Sequence, residues 1–425
     1  MLKNYDAGKL YIKKRTLPEW LTLYIFLFPF LFSFALDFLN LPSVFKYTVD
    51  VVWIAVLLIV FARKNIVLQK KVVPFAVFAG AFLLFLFIVY LFNFQSPFYF
   101  LWGARNNFRV YAAFLAYITF FNEEDANSCL KFIDILFWIN IAVTLYQFFI
   151  LGYNQDYLGG IFGTEKGCNA YSIIFFALVI TKSLLLYMNG LGKSLPCFLK
   201  CGFSLIIAAM AELKVFFIFF VIILVLAAIF TKFSWRKLLV FFITAVLIML
   251  ASSVLIAIFG DKQELTLQRI FELSTTSNYA TTEDLGRFTA IPGISKNFLT
   301  DFPSRLFGMG LGNCDTSSFE ICNTPFFRLH ENLHYTWFLS AFLFLETGYI
   351  GLVIYLSFFV ICFIFAFKHY RRDGGNRTFG AISMIMSILC IILTFYNSSL
   401  RMEVGYLAYF ALALPIISEQ TSDRQ

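Results

Sequence analysis

The sequence predicts an all-α polytopic membrane protein of about twelve transmembrane helices, and three observations carry that expectation. The 425 residues are 60% hydrophobic and 14% charged, with a mean hydropathy of +0.80. Soluble domains run about 45–50% apolar and about 25% charged. Apolar runs of roughly 18 or more residues recur along most of the chain, each long enough to cross ~30 Å of hydrocarbon as a helix. Lys and Arg collect in alternate short connections, as they do on the cytoplasmic side of membrane proteins. A transmembrane barrel is excluded, because its strands would alternate polar and apolar residues. The net charge of +8 follows from those connections rather than from a basic face, so no nucleic-acid partner is expected.

Taken in order, the first three spans cover 18–40, 46–62 and 72–92. Basic clusters precede the first (Lys3, Lys9, Lys13, Lys14, Arg15) and follow the second (Arg63, Lys64, Lys70, Lys71). Spans at 108–121, 130–152 and 170–188 come next, with outward connections around 93–107 and 153–168. The apolar stretch 199–230 reads as two short helices, 199–212 and 215–230, because Glu212 and Lys214 would be expensive at mid-bilayer. A span at 238–259 closes an N-terminal block, residues 1–259, of about nine spans. Residues 260–347 then form one large extracytoplasmic loop carrying short helices between spans 9 and 10. Spans at 348–367, 379–396 and 404–418 make up a C-terminal block, residues 348–425. Lys193, Lys200, Lys232, Arg236, Lys237, Lys368, Arg371, Arg372 and Arg377 share a side with the first clusters, which puts both termini in the cytoplasm. The polar, basic start and the long apolar stretch from Leu17 do not read as a cleavable signal. No repeat of fixed period is visible, which disfavours a symmetric-repeat transporter.

The chemistry-capable residues gather on the outer side. Residues 260–334 hold six basic and nine acidic side chains, yet several cations sit in apolar or Gly-rich surroundings. These are Arg287 in GRFTAIPGISKNF, Arg305 in DFPSRLFGMGLGN and Arg328 in FFRLHENLHYTWF. Arg105 and Arg109 in LWGARNNFRVYAAF, Lys214 in AELKVFF and Arg401 in NSSLRMEVGY also face outward on this topology. Arg suits pyrophosphate because its planar fork gives bidentate hydrogen bonds. A snorkelling interfacial cation or a salt bridge is the plainer reading of Arg305 and Arg401. It is weaker for Lys214 and Arg287, each of which sits among apolar neighbours with few obvious partners. Of the three histidines, His369 lies in the basic run KHYRR. His330 and His334 are four residues apart and share a face if RLHENLHYTWF is helical. Either could act as general base on a sugar hydroxyl. No third ligand accompanies them, so no metal and no cofactor is expected. Most of the eight cysteines lie in or beside spans as small hydrophobes. Cys314 and Cys322 are the pair in the outer loop, and a disulfide between them is expected there; two thiols packed on Phe319 and Phe326 are the alternative.

Residues 285–356 resemble the C-terminal signature of the O-antigen ligase and O-antigen polymerase superfamily of bacterial envelope glycosyltransferases. The likeness runs from Arg287 through DFPSRLFGMGLGN and His334 to ETGYIGLVIY, with Glu346, Gly348, Gly351 and Leu352. Upstream, DYLGGIFGTEKGCNAYSIIFF resembles the family's outer loop through Gly160, Phe162, Gly163 and Asn169, and AELKVFF its helix junction. The resemblance covers roughly residues 100–400 in order. It implies a GT-C-like fold in a bacterial inner membrane and an undecaprenyl-pyrophosphate-linked oligosaccharide as donor, with no nucleotide sugar. It implies that His334 is the base, with His330 second, and that Lys214 and Arg287 hold the pyrophosphate. Arg105, Arg109 and Arg328 are further candidates for that role, and Glu212, Asn169 and Glu346 would support the site. Lys214 stands where the family more often has Arg, keeping the charge but losing the fork. A repeat-unit polymerase is the leading expectation, making O-antigen, capsule or exopolysaccharide, with membrane lipid and a chain-length regulator as partners. A ligase transferring polymer to a lipid A core or to protein is the runner-up, and a lipid-linked-oligosaccharide transporter is the alternative from another class.

Overall fold

The computed structural model describes residues 15–62, 72–259, 285–317, 319–372 and 375–422. The expected basic clusters at 3–14 and 63–71, and the first part of the long loop, 260–284, lie outside the described residues. Among the described residues every regular element is helical, and eight helices are long and apolar enough to cross a membrane. The chain is therefore a polytopic helical membrane protein.

The N-terminal half consists of α1 (Leu17–Ser33), α2 (Thr48–Ala62), α3 (Val73–Phe92), α4 (Pro97–Phe120), α5 (Glu123–Phe149), α6 (Asn169–Met188), α7 (Ser194–Met210), α8 (Lys214–Ile229) and α9 (Trp235–Phe259). Three short helices follow: α10 (Ala290–Asn297), α11 (Phe302–Phe307) and α12 (Pro325–His330). The C-terminal half is α13 (Leu339–Arg371), α14 (Arg377–Tyr396) and α15 (Gly405–Ser422). Local chemistry sets the boundaries. Asn122 caps α5 by accepting from the Asp125 N–H at 2.9 Å, and Glu123, Glu124 and Asp125 face the positive end of that helix. Asp301 and Thr324 cap α11 and α12 in the same way, each followed by a Pro in the first turn. α6 is enclosed by protein along its whole apolar window, whereas α2 and α9 bury only 17% of theirs and present the rest outward.

Alternating helix directions give two ends of different character. At one end the Arg15 guanidinium meets Asp125 at 3.0 Å, Asn376 donates to Glu123 at 2.8 Å, and the Tyr370 hydroxyl donates to the Phe230 carbonyl at 2.7 Å. His369 there faces Glu419 at 3.2 Å and is buried. At the opposite end the starts of α2, α4 and α6 meet the ends of α3 and α7, the 308–315 turn and the α14–α15 connection.

The break at Glu212 is present: α7 ends at Met210, α8 begins at Lys214, and Glu212 between them has φ +55°. One boundary is corrected. α4 begins at Pro97 rather than near 108, because Arg105, Asn106 and Arg109 find partners within the protein and need no loop to reach water. The boundary drawn between residues 347 and 348 falls at a break inside the helical run Leu339–Arg371. Residue 348 is where this helix kinks: Gly348 leaves helical geometry at φ 63°, ψ −167°. A Cβ there would collide with the Leu306 carbonyl.

Candidate functional site

The segments DFPSRLFGMGLGN and ETGYIGL fold into one unit. Gly308, Gly310 and Gly312 all take positive φ, at 76°, 95° and 83°. The Met309 and Gly310 N–H groups donate to the Leu345 and Glu346 carbonyls, each at 2.9 Å, so the turn caps the short first part of α13. Side chains are excluded on both faces: a Cβ on Gly308 would strike the backbone of Glu346 and Thr347, and one on Gly312 the Tyr99 carbonyl. The Glu346 carboxylate is fully buried and accepts from the Cys314 N–H at 3.1 Å. Asn313 donates to the Asn93 carbonyl at 2.8 Å and ties the turn to the end of α3.

From this turn an ionic network spreads across the end of the bundle. Asp315, 1% exposed, is ion-paired with Arg401 and accepts from Asn106 at 2.9 Å. Arg401 stacks over Phe342, its guanidinium carbon 4.0 Å from the ring centroid. Arg109 donates to the Arg401 carbonyl and pairs with Glu403 at 2.9 Å, and the Tyr171 hydroxyl donates to the other Glu403 oxygen at 2.6 Å. Burial alone would raise the Glu403 carboxyl. The Arg109 charge and the hydrogen bonds from Tyr171 and Arg109 outweigh it and hold the carboxyl at about 2. Arg105 is committed to Asp50 through a fork, at 3.0 and 2.8 Å, and lies over Trp102 and Tyr47.

His334 borders this network. It takes the left-handed conformation at φ 52°, uncommon for a residue with a side chain, and its ring stacks on Trp337 at 4.0 Å. The Leu285 N–H donates to the Leu333 carbonyl at 3.3 Å, which brings Arg287 alongside. Arg287 lies 4.4 Å over the Tyr396 ring and 5.6 Å over Phe338, with Nε 3.4 Å from the Tyr396 carbonyl. On the far side of the network Asn169 donates to the Ala211 carbonyl at 3.1 Å and to Asp156 at 3.2 Å. Lys214 pairs with Glu212 at 3.1 Å.

The structure therefore groups His334, Arg287, Lys214, Glu212, Asn169, Arg109, Arg105 and Glu346 at one end. Arg328 stands apart, exposed beside Glu320 at 3.7 Å. His330 packs between Phe298 and Phe326, at 4.9 and 4.7 Å. The two histidines do not share a helix face, because α12 ends at His330, a 3-10 turn follows, and His334 turns left-handed. No three His, Cys, Asp or Glu side chains among the described residues come together as a metal site needs. The expected disulfide is also corrected. Cys314 and Cys322 are free thiols, and burial raises both above the usual thiol range. Cys314 is held inward by its N–H on Glu346, its carbonyl under the Tyr335 hydroxyl at 2.6 Å, and its sulfur 3.7 Å from the Met309 sulfur. Asp315, Glu403, Tyr171 and Asp50 join the site although sequence reasoning had not placed them there, and Arg401, first read as an interfacial cation, joins with them. Their pairing spans up to 294 positions, and no local signal reveals it. Compared with protein-family models and with curated proteins, the chain matches none.

Proposed function

We propose that this chain is a membrane glycosyltransferase that joins undecaprenyl-pyrophosphate-linked oligosaccharides into a surface polysaccharide. It would cross a bacterial inner membrane about twelve times, with both termini and the Arg15–Asp125 end in the cytoplasm and the 308–315 end outside. The observation that carries this reading is the convergence of His334, Arg287 and the interlocked 308–313 and 346–352 turns at one end of the bundle.

The chemistry follows from those residues. The acceptor hydroxyl oxygen attacks the anomeric carbon of the donor, and the carbon–oxygen bond to pyrophosphate breaks. His334 takes the hydroxyl proton, and undecaprenyl pyrophosphate leaves with the bonding electrons. Pyrophosphate is a good leaving group without protonation. Arg287 and Lys214 balance the charge that grows on it, so the step draws its positive charge from the protein rather than from a metal. One displacement inverts the anomeric carbon. The polyprenyl tail lies against the membrane-facing helices while the glycan stays in water. The test is reconstitution: protein in nanodiscs, given lipid-linked repeat units and a chelator, builds a glycan ladder and releases undecaprenyl pyrophosphate. Intact donor after prolonged incubation would refute the reading.

A further inference from the structure

We infer that Arg401 is a further cation of the pyrophosphate site besides Arg287 and Lys214, set beside Arg287 on the aromatic pair Phe338 and Phe342 and held there by Asp315. The inference rests on the glycosyltransferase reading and names a binding residue within it.

Arg401 first reads as an interfacial cation, because it stands between two spans with Glu403 close by. Its surroundings differ from that picture. The guanidinium stacks on Phe342, one terminal nitrogen is paired with buried Asp315, and the side chain keeps 16% of its surface open. Nε is buried without a hydrogen-bond partner. The Phe342 N–H donates to the Phe338 carbonyl at 3.0 Å, so the two residues stand one helical turn apart along the backbone, about 6 Å of rise. Arg287 stands over the first ring and Arg401 over the second. Arg287 is fixed from the side by Tyr396, five positions before Arg401 in the same connection. Two guanidinium groups, one over each of these rings, suit the two phosphoryl groups of a pyrophosphate, which a single arginine cannot grip at both ends.

Asp315 has a definite task in this arrangement. It accepts from Asn106 and from the Thr316 N–H at 2.8 Å, so its carboxylate is satisfied without Arg401. Arg401 gains from the pair a counter-ion that an incoming phosphate can outcompete. An arginine serving only to neutralise Asp315 would need neither the aromatic platform nor an open face.

The experiment measures calorimetric binding of farnesyl pyrophosphate and farnesyl monophosphate to the detergent-solubilised chain. Arg401→Gln should weaken the pyrophosphate tenfold or more and the monophosphate much less. Arg401→Lys should fall between, and Asp315→Asn should bind as tightly as wild type or more so. Arg287→Gln is the reference. If it weakens binding while Arg401→Gln stays within twofold of wild type, this inference fails and the function stands. If wild type binds neither ligand, the function itself fails. Should Arg401→Gln not fold, Asp315→Asn decides: binding weakened as much as in Arg401→Lys marks Arg401 as structural only.

Discussion

Among the described residues, two of the buried ionic assemblies are built differently. In the first, Lys182 of α6 and Lys200 of α7 both donate to Asp134 of α5 at 2.5 Å, and Lys182 also reaches the Leu130 carbonyl at 2.7 Å. These helices follow one another in the chain, and none of the three side chains has a buried atom without a partner. In the second, Asp315 and Arg109 come from parts of the sequence distant from Arg401 and Glu403. Around them Arg109 Nε, Arg401 Nε, Glu346 Oε2 and Asn313 Oδ1 are buried without partners. A saturated cluster is a staple: removing one member strands the others, and it has nothing to offer a ligand. Unused hydrogen-bonding capacity buried beside a strained histidine is what a substrate site carries.

That contrast can be broken from either side. Asp134→Ala should have the largest effect on folding, about 3–5 kcal/mol, because two buried lysines lose their counter-ion. Thermal unfolding in detergent measures it, and turnover per folded molecule should stay near wild type. Loss of turnover without loss of stability would make the triad functional and erase the distinction. Arg287→Lys comes next, with about 1–3 kcal/mol of transition-state binding lost as the fork becomes a point charge and stability unchanged. Lys214→Arg should keep activity where Lys214→Ala does not, read as the rate of ladder formation.

A smaller effect concerns pH. Glu403 is held at about 2 in the folded chain against an ordinary 4.5. Its contribution to stability is complete above the unfolded value and is lost as pH falls toward 2. Unfolding temperature should therefore drop between about pH 4.5 and 2 in wild type and less in Glu403→Gln. Equal acid sensitivity in both would remove Glu403 from the network's energetics. The smallest effect is none at all: the denatured, unreduced chain should take up alkyl groups on all eight cysteines, with mass unchanged by prior reduction.

Much of the fold was legible, and the failures have a common cause. Long apolar runs marked most helices, and the charges of Glu212 and Lys214 marked a true break. The first turns of α4 were missed because Arg105 and Asn106 look like loop residues until Asp50 and Asp315 are in view. The span start read at 348 falls on the break in α13, where Gly348 leaves helical geometry and the Met309 and Gly310 N–H groups cap the short first helix. At the site, Arg287, Lys214 and His334 stood out by their neighbours in sequence. Arg401 did not, because its reason for being there is Asp315, 86 positions away. The Cys314–Cys322 spacing permitted a disulfide, and the inward anchoring of Cys314 by Glu346 and Tyr335 prevented it.

The central claim is that the 308–315 end is an active site with His334 as its base. The most direct test replaces that one side chain in cells and follows the surface polysaccharide on a gel. His334→Ala, inserted at wild-type levels and unfolding at the wild-type temperature, should leave single repeat units and no ladder. A ladder of normal length from that strain would contradict the account.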